Sequence, residues 1–352
     1  MDILIVSKSI SKTNGGVERV NSALLHHFAR SQVVSRVKHC SSFRCLIKSA
    51  LLDCISFSIS TNSPRKLIIA SGFSSFAFLI FPFRQKIFLL HGFYDPLTID
   101  NANFRLKTRA WIYTYLLLPF ISVLDCELVA PSFHSALVNS LYTRKSAINV
   151  IPWGGFPDSL EVQPKPFNCR DIDILYHGRI TPEKLNMTAL ATCALELSNI
   201  TTPSRLVKIV LSGSFGSLNE FHFRGTLDDL LGESNYALDI HDNPSDPEYI
   251  ELMCNSKYFF NGHPWEAFGL SLLEALQSGS ILLVPATTPL ISHIQKASFI
   301  RYLPQYSPTI SILDAEFLKE NYDSVAMASY YRNTFTWKHA VDLFLDSTRT
   351  SK

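Results

Sequence analysis

Short apolar runs alternate with longer mixed segments from the N-terminus to Pro152, break off in a stretch rich in proline and glycine, and begin again at Asp171. Asp2–Ser7 reads as a buried strand, and Gly16–Arg30 as a helix with Val17, Val20, Leu24 and Phe28 on one face. Residues 66–70, 86–90 and 127–130 are further strand candidates. After the break, strands are expected at 173–177, 207–211, 237–240, 257–260 and 281–284, with helices at 182–197 and 269–277. Strands that alternate with helices imply parallel sheets covered on both faces, so the fold class is α/β. The interruption, 152–170, holds Pro152, Gly154, Gly155, Pro157, Pro164 and Pro166 and reads as a linker between two doubly wound domains. The expected organisation is residues 1–160, residues 171–330, and a closing helical segment 331–352. Two such domains facing across a cleft would bind ligand at the carboxyl ends of their strands.

Bulk properties narrow the partners. Hydrophobic residues make up 47% and charged residues 18%, which excludes a disordered chain. Seven scattered cysteines form no Cys-x-x-Cys pair, so neither a zinc site nor a disulfide framework is expected, and reduced thiols in the cytoplasm fit better. The apolar runs 67–83 and 111–124 contain polar residues or proline and sit at or below the length needed to span a bilayer. The first reads better as a buried strand followed by a short helix. Charge is uneven: residues 1–160 carry 17 Lys and Arg against 8 Asp and Glu, a balance of +9, and the remainder carries −7. A basic half suits a polyanionic partner, phospholipid or nucleic acid, although an uneven soluble surface has the same signature.

Three elements carry chemistry. Asn14-Gly15-Gly16-Val17-Glu18 follows the first strand and opens a helix. Its glycines permit close backbone approach, and the helix start offers N–H groups to an anion. The spacing is not Gly-x-Gly-x-x-Gly, and a plain turn suits the segment equally. Next comes His177-Gly178-Arg179-Ile180-Thr181-Pro182-Glu183-Lys184, expected where Gly178 turns the chain out of a strand. Arg179 and Lys184 could stabilise a departing diphosphate or form a surface salt bridge. Last is Glu266-Ala267-Phe268-Gly269-Leu270-Ser271-Leu272-Leu273-Glu274, two carboxylates around a helix start. Amides at Phe268, Gly269 and Leu270 could take a phosphate and the carboxylates could accept from sugar hydroxyls. Ordinary solvent-facing glutamates remain the alternative. Asp171-Ile172-Asp173 also matches a metal-binding Asp-x-Asp pattern, but at the start of a strand rather than its end.

In order and separation, Gly15-Gly16-Val17-Glu18, Gly178-Arg179 with Lys184, and Glu266 through Glu274-Ala275 resemble glycosyltransferase family 4, the retaining GT-B enzymes. Leu211-Ser212-Gly213-Ser214 looks like the family's strand-end glycine turn, and Phe335-Thr336-Trp337 like the opening of its closing helix, which crosses back to the N-terminal domain. The resemblance implies a GT-B fold of two Rossmann-like domains. It implies that Arg179 and Lys184 bind the donor diphosphate, that Glu266 contacts the transferred sugar, that Glu274 holds the ribose and that Gly16 lies against the donor phosphate. His91, in Leu90-His91-Gly92-Phe93, would touch the sugar near the reacting centre, although a structural role suits it as well. The implied activity is retaining transfer of a hexosyl group from a UDP- or GDP-sugar to a glycan or polyprenyl-linked acceptor in cell-surface polysaccharide synthesis. No cofactor or metal is expected. The expected setting is cytoplasmic, with the basic domain at the inner membrane face and no nucleic-acid partner. A sugar-nucleotide epimerase and an inactive partner subunit are the rival readings.

Overall fold

The computed structural model of this chain describes residues 2–7, 16–30, 34–39, 66–71, 85–90, 104–121, 123–124, 126–145, 147–181, 184–200, 205–215, 220–232, 235–263, 266, 268–294, 300–303 and 322–350. The chain divides into two compact units, Met1–Asp158 with Phe335–Lys352, and Ser159–Thr334.

The first unit is built on strands β1 (Asp2–Ser7), β2 (Val34–His39), β3 (Lys66–Ser71), β4 (Gln85–Leu89), β5 (Glu127–Ala130) and β6 (Asn149–Val150). They form one parallel sheet in the order β2-β1-β3-β4-β5-β6, so the direction of winding reverses between β1 and β3. Helix α1 (Gly16–Arg30) buries Val20, Leu24 and Phe28 of the stripe its periodicity predicts, and the Val17 side chain lies outside the described residues. Helix α2 (Phe104–Ile112) runs through a π-helical turn (Tyr113–Leu117) into α3 (Leu118–Ile121), and α4 (Phe133–Thr143) follows β5. Among the described residues no helix is long and apolar enough to cross a membrane. The run 67–83 begins as β3, and its remainder lies outside the described residues.

The segment read as a linker begins inside this unit. Trp153 stacks on Trp337 with ring centres 6.4 Å apart, and Trp337 Nε1 donates to the Gly155 carbonyl at 2.9 Å. The Asp158 carboxylate accepts from the backbone N–H groups of Trp337 and Lys338, both at 2.9 Å. An anion there satisfies two orphan donors and opposes the positive end of the C-terminal helix dipole. Residues 152–158 are therefore a dock for that helix rather than a loose connection.

The second unit holds β7 (Ile172–Ile180), α5 (Met187–Ile200), β8 (Val207–Phe215), α6 (Glu220–Leu231), β9 (Tyr236–Asp242), α7 (Asp246–Asn255), β10 (Ser256–Phe260), α8 (Leu270–Gln277), β11 (Ile281–Val284), β12 (Ile300–Tyr302) and α9 (Ser324–Thr334); α10 (Trp337–Thr350) returns to the first. Its sheet is parallel in the order β12-β11-β10-β7-β8-β9, the dinucleotide-fold arrangement with reversal between β7 and β10. The helix expected from Pro182 starts at Met187 instead. The N–H groups of Lys184 and Leu185 both turn back to the Thr181 carbonyl, and the Asn186 side chain accepts from Ala189 N–H at 3.1 Å as a cap.

Arg170 bolts this unit together. It is buried, and its guanidinium donates to the carbonyls of Ser256 (2.6 Å), Ser278 (2.7 Å) and Lys165 (2.9 Å). Burial disfavours its charge and lowers its pKa. The Ser278 contact sets that charge at the carboxyl end of α8, where a helix dipole favours a cation. Arg170→Met leaves three carbonyls without this donor, so urea unfolding should show a loss of about 3 kcal/mol or more. An unchanged midpoint would show that these bonds are dispensable.

Candidate functional site

The rim at the carboxyl ends of β7 and β10 gathers most of the sequence candidates. β7 does not end at His177, as expected, but continues to Ile180 beside β8, pairing Gly178 with Gly213 and Arg179 with Ser214. The two backbones nearly touch. A Cβ on Gly213 would lie 1.9 Å from the Gly178 carbonyl oxygen, and Gly213 has φ +130°, which L side chains rarely adopt. Gly178 is therefore not a turn residue; it lies within a strand pressed against a second glycine. Two bonds hold this contact: the Tyr176 hydroxyl donates to the Arg179 carbonyl (2.8 Å), and Asn243 N–H donates to the Gly213 carbonyl (2.8 Å).

The arrangement leaves Arg179 exposed at the strand end. Lys184, on the following turn, donates to Glu266 Oε1 at 3.0 Å, so two candidates 82 residues apart meet directly. Both are partly exposed, and a pair of this kind contributes little to stability. Tyr176 lies close by. Burial, and then the Glu266 charge, push its phenol above the ordinary value while Arg179 opposes them; the hydroxyl stays protonated and remains a donor.

Past Glu266 the chain enters α8 through Phe268, which is buried, and Gly269, which has φ +91° and caps the helix without any side-chain bond. The opening N–H groups of α8 thus have no side-chain acceptor from the cap. Glu274 is not a solvent-facing glutamate. It is fully buried, and the Tyr249 hydroxyl of α7 donates to its Oε2 at 2.6 Å. The Tyr249 ring lies 4.0 Å from the His177 ring, whose Nδ1 is 3.2 Å from Ser212 Oγ. Glu274, Tyr249, His177 and Ser212 therefore tie α8, α7, β7 and β8 together beneath the rim. Tyr249 and His177 were not among the predicted site residues; a tyrosine inside an unremarked helix gives no sequence signal of a carboxylate partner.

Of the remaining candidates, Gly16 begins α1, while Gly15, His91 and Ala267 lie outside the described residues. Asp173, of the Asp-x-Asp pattern, is buried. Its carboxylate receives Arg205 (2.6 Å), Lys257 (2.9 Å) and the Lys208 N–H (3.0 Å) near the start of β7.

No protein-family model matches the sequence, and no curated protein matches it. Solved structures do. Anabaena HepE in complex with UDP and glucose superposes with a TM-score of 0.63 at 14% identity, covering 99% of this chain and 100% of that one. Sucrose-phosphate synthase from Thermosynechococcus elongatus gives 0.68 at 14% identity, over 99% and 98% of the two chains. WaaG, a glycosyltransferase involved in lipopolysaccharide biosynthesis, gives 0.65 at 12% identity, over 99% and 100%. These are GT-B glycosyltransferase structures, and the chain has their fold. Gly213→Ala forces a methyl group into the Gly178 carbonyl. Thermal and urea unfolding should both show a loss of about 3 kcal/mol; wild-type stability would mean that the strands can part at no cost.

Proposed function

We propose that this GT-B chain is a retaining glycosyltransferase that moves a hexosyl group from a UDP- or GDP-sugar to a hydroxyl of a glycan or lipid-linked acceptor. The observation that carries the reading is the convergence of Arg179, Lys184, Glu266 and the start of α8 where the sheet order reverses, the usual ligand crevice of such sheets. HepE, which shares the fold, is a complex with UDP and glucose.

On this reading the nucleoside diphosphate lies against Arg179, Lys184 and the α8 amides. The bond from the anomeric carbon to the diphosphate oxygen breaks and negative charge collects on that phosphate, where two fixed cations stabilise it. The acceptor oxygen bonds to the anomeric carbon on the same face, and its proton passes to the departing phosphate oxygen. Glu266 accepts from sugar hydroxyls once Lys184 turns from it to the phosphate. Glu274 is the carboxylate assigned to the ribose; because it is fully buried against Tyr249, the packing above it must open for the ribose to reach it. No metal is needed on this account, because the two side-chain cations carry the charge, so turnover should persist in EDTA. The lipopolysaccharide role of WaaG makes cell-surface polysaccharide assembly the favoured setting. The basic first half suits a peripheral position at an anionic membrane that carries the acceptor.

The test is release of nucleoside diphosphate from a panel of UDP- and GDP-hexoses by the purified chain. Arg179→Ala should lower turnover about 10²- to 10³-fold, the scale of losing one charge-stabilising donor. Equal turnover in the variant and the wild type would contradict the assignment, as would consumption of the sugar nucleotide with no transfer to any acceptor.

A further inference from the structure

Eight of the eleven exposed large hydrophobic side chains among the described residues fall between Trp111 and Leu141. Single exposed apolar residues need no explanation, but a contiguous set marks an interaction surface. On one side are Trp111, Tyr115, Leu116 and Phe120, along α2, the π turn and α3; on the other are Phe133, Leu137 and Leu141 of α4. The two rows meet where the Tyr115 and Tyr142 rings lie 6.0 Å apart, and Trp111 is 5.8 Å from Tyr115.

Helix α4 is inside out. A helix packed on a sheet in water buries its apolar stripe. Here Ser135, Asn139 and Thr143 are the buried stripe, while Phe133, Leu137 and Leu141 are 60%, 65% and 72% exposed. Most of the buried polar stripe is served locally: Asn139 Nδ2 donates to the Ser135 carbonyl (2.7 Å), Thr143 Oγ1 to the Asn139 carbonyl (3.0 Å), and Ser135 N–H to Oγ of the capping Ser132 (3.0 Å), while Asn139 Oδ1 finds no partner among the described residues. The inversion is thus built into the fold, and it turns a leucine row outward at the cost of hydrophobic burial inward.

We propose that this face seats the protein on an anionic lipid surface. Between residues 104 and 145 there are five Lys and Arg against two carboxylates. In the sequence Arg105, Lys107 and Arg109 precede Trp111 and Arg144 follows Leu141, while the Lys145 ammonium is held by the carbonyls of Leu124 (3.2 Å) and Cys126 (2.6 Å). An apolar face with tryptophan and tyrosine, flanked by cations, is the composition of a helix pair lying in the headgroup region. A second copy fits less well, since it would bring together two halves that each carry +9. The inference deepens the peripheral-membrane part of the proposed function and is separable from the donor chemistry.

The full chain should float with vesicles of phosphatidylglycerol and phosphatidylcholine at low salt, and less with phosphatidylcholine alone. Leu137→Gln with Leu141→Gln should weaken binding by about tenfold per leucine, leaving the melting temperature and UDP binding unchanged. Brominated lipid should quench Trp111 in the wild type, and this quenching should be lost in Trp111→Phe, a readout that does not depend on the double variant folding. Failure of the wild type to bind anionic vesicles at low salt would overturn the proposal. So would full binding by a folded double variant, or a dimer that these substitutions split. Absent vesicle binding by the wild type, with normal turnover of the sugar nucleotide, would overturn this inference and leave the transferase reading intact.

Discussion

The second unit depends on the contact between Gly178 and Gly213. Parallel strands usually diverge into loops at their carboxyl ends; these two stay paired through Ile180 and Phe215 because neither carries a side chain where the backbones meet. That contact extends the sheet and sets the register of its edge. His177 then faces Ser212 below the rim, while Arg179 stands exposed above it. The Tyr176 hydroxyl closes the arrangement from beneath, and its burial keeps it a donor.

Helix α8 completes the site because its two ends are treated differently. At the carboxyl end Arg170 supplies a buried charge and the chain turns back through Gly279 and Ser280, whose N–H groups reach Leu276 and Ala275. At the amino end Gly269 offers no side chain, so the positive end of the dipole is left for whatever arrives next to Lys184 and Glu266. Between the ends, Glu274 is fixed from the side by Tyr249. Such a helix is anchored at one pole and open to an anion at the other.

Local pattern revealed the elements wherever burial and composition agreed. Ile281–Val284 is four apolar residues, all buried, and its limits were legible without a structure. The stripe of α1 was legible for the same reason. Strand β7 was cut short because His177-Gly178-Arg179 has the composition of a turn, and only the partner glycine 35 residues away makes it a strand. Arg170 was hidden in a proline-rich stretch, where nothing local signals three carbonyl partners. Helix α4 carries a helical period in Phe133, Leu137 and Leu141, but its orientation was not legible, because apolar periodicity assumes that the apolar side faces in. As for the site, order and spacing brought Arg179, Lys184, Glu266 and Glu274 into view together, and two of the four touch. The buried role of Glu274 depends on a tyrosine from another helix and was not legible.

The central claim is that the rim of the second unit receives the diphosphate of a sugar nucleotide. A crystal structure of the chain with UDP tests it most directly. The account predicts phosphate oxygens within hydrogen-bond distance of Arg179, Lys184 and the first N–H groups of α8, with the Lys184 to Glu266 contact broken. UDP bound elsewhere, or bound there with that ion pair intact at 3.0 Å, would contradict it.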